Sequence, residues 1–186
     1  MSDGKDQLYR RFSVAERDRR WAEVRKLMRR DGLACILALQ NPGHSTDWQA
    51  DARFLSQVGG GADAAIAVVF PLDGEVTAIA TSAAERWHNG IQNWTTDVRE
   101  AHRRYGKVAA ERMRELGYTN EKIGVTNLGE GTRTPEGGVM YGTFKAIADV
   151  FPNCTYVDAS SLLQEVRERK SPEEVDLWET NEAFAS

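Results

Sequence analysis

The stretch Arg29–Leu39, R-R-D-G-L-A-C-I-L-A-L, contains the junction that decides the fold class. It ends a segment, Val14–Asp31, in which Ser13 can cap a helix and Gly32 can stop it. The large apolar residues of this segment recur at helical spacing: Trp21, Val24, Leu27 and Met28. The seven residues after Gly32 are continuously apolar, which is typical of a strand covered on both faces. A helix followed by a buried strand predicts an α/β fold.

Helices and strands continue to alternate along the rest of the chain. Ala64–Phe70 and Val76–Thr81 flank P-L-D-G-E, with Asp73 and Gly74 at the tip, and so predict an antiparallel hairpin. The other predicted strands are Trp94–Val98, Lys122–Thr126 and Cys154–Asp158. The other predicted helices are Ala83–His88, Glu100–Leu116, Met140–Val150 and Ser160–Arg167. This alternation predicts a mixed β-sheet flanked by helices.

A long polar connection, Gln40–Gly61, separates the first strand from the hairpin. Connections of this length in a compact domain are usually functional or mobile. The other tryptophans, Trp21, Trp87, Trp94 and Trp178, lie on apolar stripes or near strands, where core packing is the ordinary explanation. Trp48 differs because it lies in the polar connection beside Asp51, with Arg53 close by. It is either a packing residue or a contact for a ligand or partner.

Composition limits the function classes. The chain has 186 residues, 41% of them hydrophobic and 28% charged, as expected of one globular domain. Its formal net charge of -4 argues against a general affinity for nucleic acid. We expect no membrane partner, since the sequence has no signal peptide and no apolar run of spanning length. Cys35 and Cys154 fit small core residues of a cytoplasmic protein better than a disulfide.

Catalytic motifs are missing from the sequence. The histidines His44, His88 and His102 have no metal-ligand spacing, and neither H-E-x-x-H nor C-x-x-C occurs. There is no G-x-S-x-G turn, and the glycine-rich loop Gly129–Gly138 contains no G-K-[ST]. We therefore expect no catalytic residue, metal or cofactor in this chain.

The closing stretch, Arg169–Ser186, carries the signals of a helix start. Ser171 is a good N-cap, Pro172 suits the first helical position, and Glu174 completes a capping box. With few large apolar residues, this helix is expected to fray or to pack on a neighbour.

Three segments together resemble the N-terminal domain of the creatinase/prolidase/Xaa-Pro aminopeptidase family, the "pita-bread" metallohydrolases. The first is the helix-to-strand junction Arg29–Leu39. The second is A-R-F-L-S-Q-V-G-G-G, Ala52–Gly61, followed by the hairpin. The third and most specific is Y-V-D-A-S-S-L-L-Q-E-V-R-E-R-K-S-P-E-E-V, Tyr156–Val175, which looks like the boundary between the two domains of that family.

The resemblance implies an α/β fold similar to ribonuclease H in outline, without nuclease function. It implies a domain over residues 1–168, with 169–186 as a linker and the start of the first helix of a C-terminal catalytic domain. In this family that domain holds two divalent metal ions and the catalytic groups. The implied partners of this chain are its own C-terminal domain and a second subunit in a homodimer.

The resemblance also implies that this domain holds two subunits together and forms part of the wall of a neighbouring active site. The residues expected to make substrate or interface contacts are Trp48, Asp51, Arg53 and Phe54. One departure is that Gln57 and Val58 follow the aromatic-leucine-serine segment, where the family more often has glycine directly. The alternatives are a stand-alone protein-interaction module with a basic N-terminal helix as its docking surface, and a small enzyme with a site around His88 and the loop at Gly129.

Overall fold

A computed structural model describes residues 12–40, 50–58, 65–81, 92–130 and 134–185, and for 181–185 only the backbone. The helices in these ranges are α1 (Val14–Asp31), α2 (Ala50–Ser56), α3 (Tyr105–Glu115), α4 (Tyr141–Ala148), α5 (Ser160–Glu168) and α6 (Pro172–Ala185). The strands are β1 (Cys35–Ala38), β2 (Ala67–Pro71), β3 (Thr77–Ala80), β4 (Asp97–Glu100), β5 (Lys122–Val125) and β6 (Thr155–Asp158).

The six described strands form one mixed sheet in the order β4-β3-β2-β1-β5-β6. Strand β2 is antiparallel to both of its neighbours, β1 and β3, whereas the other three pairs are parallel. All strands except β2 therefore run in one direction, and their carboxyl ends share one edge of the sheet. The predicted α/β class, mixed sheet and antiparallel hairpin are confirmed.

Strand β1 divides the core into two layers. Its four residues are all buried, and they alternate between the faces as a strand must. Ile36 and Ala38 pack with residues of α1, α2 and α5 on one face. Cys35 and Leu37 pack with residues of α3 and α4 on the other face. The uninterrupted apolar run seen in the sequence thus reflects a strand covered by helices on both sides.

Helix α1 begins and ends at the predicted residues. The Ser13 hydroxyl accepts a hydrogen bond from the Glu16 N–H at 3.1 Å, which satisfies a donor at the helix start. Gly32 takes a left-handed conformation with φ of 67° and donates to the carbonyl groups of Met28 and Arg29. This positive φ favours glycine over every residue with a Cβ.

Four predicted segments need correction or lie outside the described ranges. The connection Gln40–Gly61 is not all loop, because α2 forms within it. The strand predicted at Trp94–Val98 is β4, which begins at Asp97 and continues to Glu100. As a result the helix predicted from Glu100 begins only at Tyr105, after His102 and Arg103 take positive φ angles of 46° and 60°. The predicted helix Ala83–His88 lies outside the described residues.

Both cysteines are buried and free, as the sequence predicts. Burial raises the pKa of the Cys35 thiol to about 12, so the thiol stays protonated and unreactive at neutral pH. None of the helices in the described ranges combines the length and the apolar character needed to cross a membrane.

Candidate functional site

Helix α6 starts with the capping box that the sequence predicts. The Ser171 N–H donates to the Glu174 carboxylate at 2.9 Å, and the Glu174 N–H donates back to the Ser171 hydroxyl at 3.1 Å. Ser171 itself is buried. The helix start is therefore held in place by local bonds within a packed part of the molecule.

The first turn of α6 is bonded to the start of α1. The Glu173 carboxylate accepts from the Ser13 N–H at 2.6 Å and from the Ser13 hydroxyl at 2.8 Å. The Glu174 carboxylate accepts from Arg20 at 3.1 Å and from Arg19 at 3.4 Å. One turn later the side chains of Val175 and Trp178 are exposed. Core packing, the ordinary explanation for Trp178, is wrong, whereas the start of the helix is fixed to α1.

Arg20 is the buried centre of this attachment. Only 2% of the residue is exposed, and its Nε donates to Glu16 at 2.7 Å. Its guanidinium also stacks on three aromatic rings, at 4.3 to 5.0 Å from the ring centroids of Phe12, Phe54 and Trp94. Burial acts to raise the pKa of Glu16, but the hydrogen bonds and charges of Arg19 and Arg20 outweigh it and hold that pKa below its usual value. The charged pair is thus the stable form at neutral pH.

The structure places three of the four predicted contact residues on α2 and not in a loop. Asp51 pairs with Arg167 of α5 at 3.0 Å. Phe54 is only 8% exposed and lies under the Arg20 guanidinium, so most of its side chain packs in the core and little of it is open to the predicted substrate or interface contact. Arg53 is half-buried at the surface of the helix. Trp48 lies outside the described residues.

Arg53 and Phe54 line a groove of about 390 Å³ between α2, the end of α5 and the first two turns of α6. We call it the α2–α6 groove. Its charged lining consists of the cations Arg20, Arg53, Arg167 and Lys170 and the carboxylate of Glu174, and its apolar wall includes Leu177 and Trp178. Lys170 donates to the Arg167 carbonyl, and its ammonium lies 5.7 Å from the centroid of the Trp178 ring. An exposed tryptophan beside several cations is a composition typical of protein interfaces.

Sequence reasoning on the candidate contacts missed Arg167, Lys170 and Trp178. The first two stand in the R-E-R-K segment that carries the family resemblance, but that segment resembles a boundary between domains and does not by itself indicate a contact surface. Trp178 has the same apolar character as a core residue, and nothing in the sequence shows that its face of α6 is uncovered.

The charge of Asp51 should lower the stability of the domain at neutral pH. Burial is the largest influence on Asp51 and raises its pKa, and the Arg167 charge offsets this only in part. The pKa of Asp51 is therefore higher in the folded state than in the unfolded state. At pH values above both, the ionised carboxylate lowers the free energy of unfolding, and this loss disappears as Asp51 becomes protonated at lower pH.

We therefore expect Asp51→Asn to raise the free energy of unfolding at pH 7, by up to about 1 kcal/mol, and to have no such effect near pH 3. Urea denaturation at both pH values measures this difference. The control is Asp73→Asn at the hairpin tip, where the side chain is 86% exposed and the change should stay below about 0.5 kcal/mol. A loss of stability at pH 7 for Asp51→Asn would show that the pair with Arg167 dominates.

No metal-binding cluster occurs in the parts of the chain that the structure describes: no three His, Cys, Asp or Glu side chains converge there. In the glycine-rich loop, the N–H groups of Leu128 and Gly129 donate to Asp158 at 3.1 and 3.0 Å. Asp158 therefore has a structural role in tying the loop to β6. His88, the other part of the alternative enzyme site, lies outside the described residues.

No protein-family model and no curated protein sequence matches this chain. Solved structures do match. An Xaa-Pro dipeptidase from Bacillus anthracis aligns with a TM-score of 0.62 and 16% identity over 86% of this chain and 38% of that protein. A prolidase from Thermococcus sibiricus aligns with a TM-score of 0.62 and 18% identity over 90% of this chain and 40% of that one. The chain thus spans about two fifths of the length of these enzymes.

An isolated domain matches over nearly its whole length. The N-terminal domain of the cytoplasmic peptidase PepQ from Mycobacterium tuberculosis H37Rv aligns with a TM-score of 0.56 and 18% identity, over 83% of this chain and 99% of that one. At these identities the likeness concerns the fold. The chain has the fold of the N-terminal domains of Xaa-Pro dipeptidases and prolidases, as the resemblance in its sequence predicts.

Proposed function

We propose that this chain acts as the non-catalytic N-terminal domain of a creatinase/Xaa-Pro aminopeptidase-like metallohydrolase in the cytoplasm. The observation that carries this proposal is the fold match to an isolated N-terminal peptidase domain over nearly the whole of that domain. In this proposal the two divalent metal ions and the hydrolytic groups belong to a C-terminal domain whose first helix starts with α6. The described residues of this chain supply no step of the hydrolysis.

The role that we propose for the domain is to hold two subunits together and to form part of the wall of the active site in a neighbouring catalytic domain. The α2–α6 groove is the surface that we assign to this contact. The first turn of α6, on one side of the groove, is held in place because Glu173 and Glu174 bond to residues of α1 and its N-cap. Val175 and Trp178 are exposed and can contact a partner. Carboxylates of Glu16, Glu174 and Asp51 already pair with Arg20 and Arg167, so the attraction for an acidic partner surface depends on Arg53 and Lys170.

Arg53 is the residue to test in the full-length protein, since it lines the groove without a structural role as large as that of Phe54. We expect Arg53→Ala to raise the KM for an Xaa-Pro dipeptide or to weaken the dimer, each by about three- to tenfold. The control is Arg114→Ala on α3, an exposed arginine outside the groove. Unchanged KM, kcat and dimer dissociation constant for Arg53→Ala would contradict the assignment.

The chain by itself should not cleave Xaa-Pro peptides. Purified residues 1–186 incubated with Mn²⁺ and an Xaa-Pro dipeptide should give no product above the no-protein control, and cleavage sensitive to a chelator would overturn the proposal. The competing function is a stand-alone interaction module. A native protein that ends at Ser186 and purifies with an unrelated partner would favour that module.

A further inference from the structure

A second cavity, of about 540 Å³, opens on the other side of the sheet between the N-terminal ends of α3 and α4. We call it the α3–α4 cavity. Helix α3 begins just after β4 ends, and Gln40 follows the end of β1, so the cavity lies at the edge where the parallel strands present their carboxyl ends. Crevices at this edge are the usual ligand sites of open α/β sheets.

The cavity is electropositive. Arg103, Arg104 and Lys107 line it with exposed cations, and the part of its wall that the structure describes contains no carboxylate. The N-cap residues of both helices, Arg104 and Met140, make no side-chain cap bond to their helices. The first N–H groups of each helix therefore add partial positive charge at the same place. Such an arrangement favours an anion.

Gln40 gives the cavity a second, independent feature. The residue is only 6% exposed, and its Nε2 donates to the Thr143 hydroxyl at 2.6 Å. The Met140 sulfur, a weak acceptor, lies 3.8 Å from the same Nε2, so both contacts match an amide nitrogen in this position. The Oε1 atom is buried and has no hydrogen-bond donor among the described residues. A buried acceptor without a donor is costly, so this oxygen suits a ligand that brings an N–H or O–H group.

We propose that the α3–α4 cavity binds a small carboxylate that carries an amide N–H on its α-carbon. The carboxylate interacts with the basic rim and the two helix ends. The adjacent N–H donates to Gln40 Oε1, which is closed to solvent in this structure, so the Gln40 side chain turns toward the cavity when the ligand binds. The apolar substituent of the ligand packs against Met140 and Ala146, which also line the cavity. A free N-acyl amino acid and the C-terminal residue of a peptide share this chemistry. The proposal does not depend on the peptidase role.

Three matched probes test the recognition by calorimetry on the chain. N-acetyl-L-leucine should bind with a Kd of about 0.1–1 mM, which is ordinary for a ligand of its size. Its methyl ester lacks the charge, and 4-methylpentanoate lacks the amide N–H, so each should bind at least about tenfold more weakly. Equal binding of all three probes, or no saturable binding of N-acetyl-L-leucine, would overturn the proposal.

A binding measurement with a longer peptide identifies the source of the ligand. Acetyl-Gly-Gly-Leu that binds more tightly than N-acetyl-L-leucine assigns the site to peptide C-termini. Weaker or equal binding assigns it to free N-acyl amino acids.

Gly142 allows the cavity to be blocked without harm to the fold. A Cβ atom at Gly142 would have no heavy atom within 4 Å, and aspartate near a helix N-terminus is stabilising. We expect Gly142→Asp to unfold at the same or a higher temperature and to lose at least about tenfold in affinity for N-acetyl-L-leucine. Gly142→Ala is the matched control and should bind as the wild type does. Unchanged affinity in Gly142→Asp would exclude this cavity as the binding site.

The role of Gln40 is tested by Gln40→Met, which keeps the length of the side chain and replaces the amide oxygen with a sulfur that is a much weaker acceptor. This variant should bind N-acetyl-L-leucine and 4-methylpentanoate equally, because the difference between them arises from the bond to Oε1. A preserved preference for N-acetyl-L-leucine would contradict the proposed contact.

Discussion

Replacement of Arg20 by alanine should lower the free energy of unfolding by about 3–5 kcal/mol, since it breaks a buried ion pair and leaves the partner charge behind. Glu16, which is 4% exposed, would keep its carboxylate in the core with only Arg19 as a partner. The three aromatic rings that surround the guanidinium would also lose their contact with it. Chemical denaturation of the variant and the wild type at pH 7 measures this loss.

Arg19 provides the matched control for this prediction. It bonds to the same two carboxylates, Glu16 and Glu174, but its side chain is 35% exposed. Solvent screens its charge and can replace its bonds, so Arg19→Ala should cost less than about 1 kcal/mol. If the two alanine variants were equally stable, burial of Arg20 would not be the reason for its effect.

The network also predicts an acid response. The pKa of Glu16 in the folded state is held below its usual value. The stability that the ion pair of Glu16 and Arg20 contributes is therefore present above the unfolded pKa of Glu16, and it is lost as the pH falls through the folded pKa. The Arg20→Ala variant keeps the hydrogen bond from Arg19 but lacks the hydrogen bond and the charge of Arg20, which also lower the Glu16 pKa. Its stability should therefore fall less steeply below about pH 4.

Replacement of Gly106 by alanine should lower the free energy of unfolding by about 1–3 kcal/mol. Gly106 lies in the first turn of α3 where α4 crosses it. A Cβ atom there would stand 2.4 Å from the Thr143 carbonyl oxygen and 3.0 Å from the Ala146 Cβ. The nearest atom belongs to the backbone and cannot move away by a side-chain rotation, so the two helices must separate. Alanine gains at most about 1 kcal/mol over glycine in helix propensity, which is less than the expected cost of the clash.

Gly142→Ala is the control for Gly106→Ala, since Gly142 lies at the start of α4 and a Cβ atom there would have no heavy atom within 4 Å. It should leave the stability within about 0.5 kcal/mol of the wild type or raise it slightly. Thermal unfolding of both variants, followed by circular dichroism, compares them. Equal stability of the two variants would show that α3 and α4 do not touch as closely as the structure describes.

The layered fold is predictable from local signals. The spacing of apolar residues in α1, the stop at Gly32 and the apolar run of β1 depend on neighbouring residues only, and each prediction matches the structure closely. The hairpin and the capping box at Ser171 are equally local. Helix α2 was missed because seven residues give too little periodicity, and its stability comes from the burial of Leu55 and Phe54 against the sheet.

The candidate site is less predictable because its contacts are distant in sequence. Arg20 and Glu174 are 154 residues apart, and only the fold brings them to 3.1 Å. In the sequence Arg20 looks like one more cation on a solvated helix, and Phe54 looks like an exposed loop residue. The unpaired Gln40 oxygen has no sequence signal at all, since it depends on which groups surround the amide in three dimensions.

We propose that this chain is one domain of a larger metallohydrolase. The most direct test is the mass of the native protein, detected in cells of the source organism with an antibody raised against residues 1–186. We expect a product roughly two and a quarter times the 20.8 kDa of this chain, which cleaves Xaa-Pro dipeptides only with a divalent metal. A native product of 20.8 kDa without such activity would contradict it.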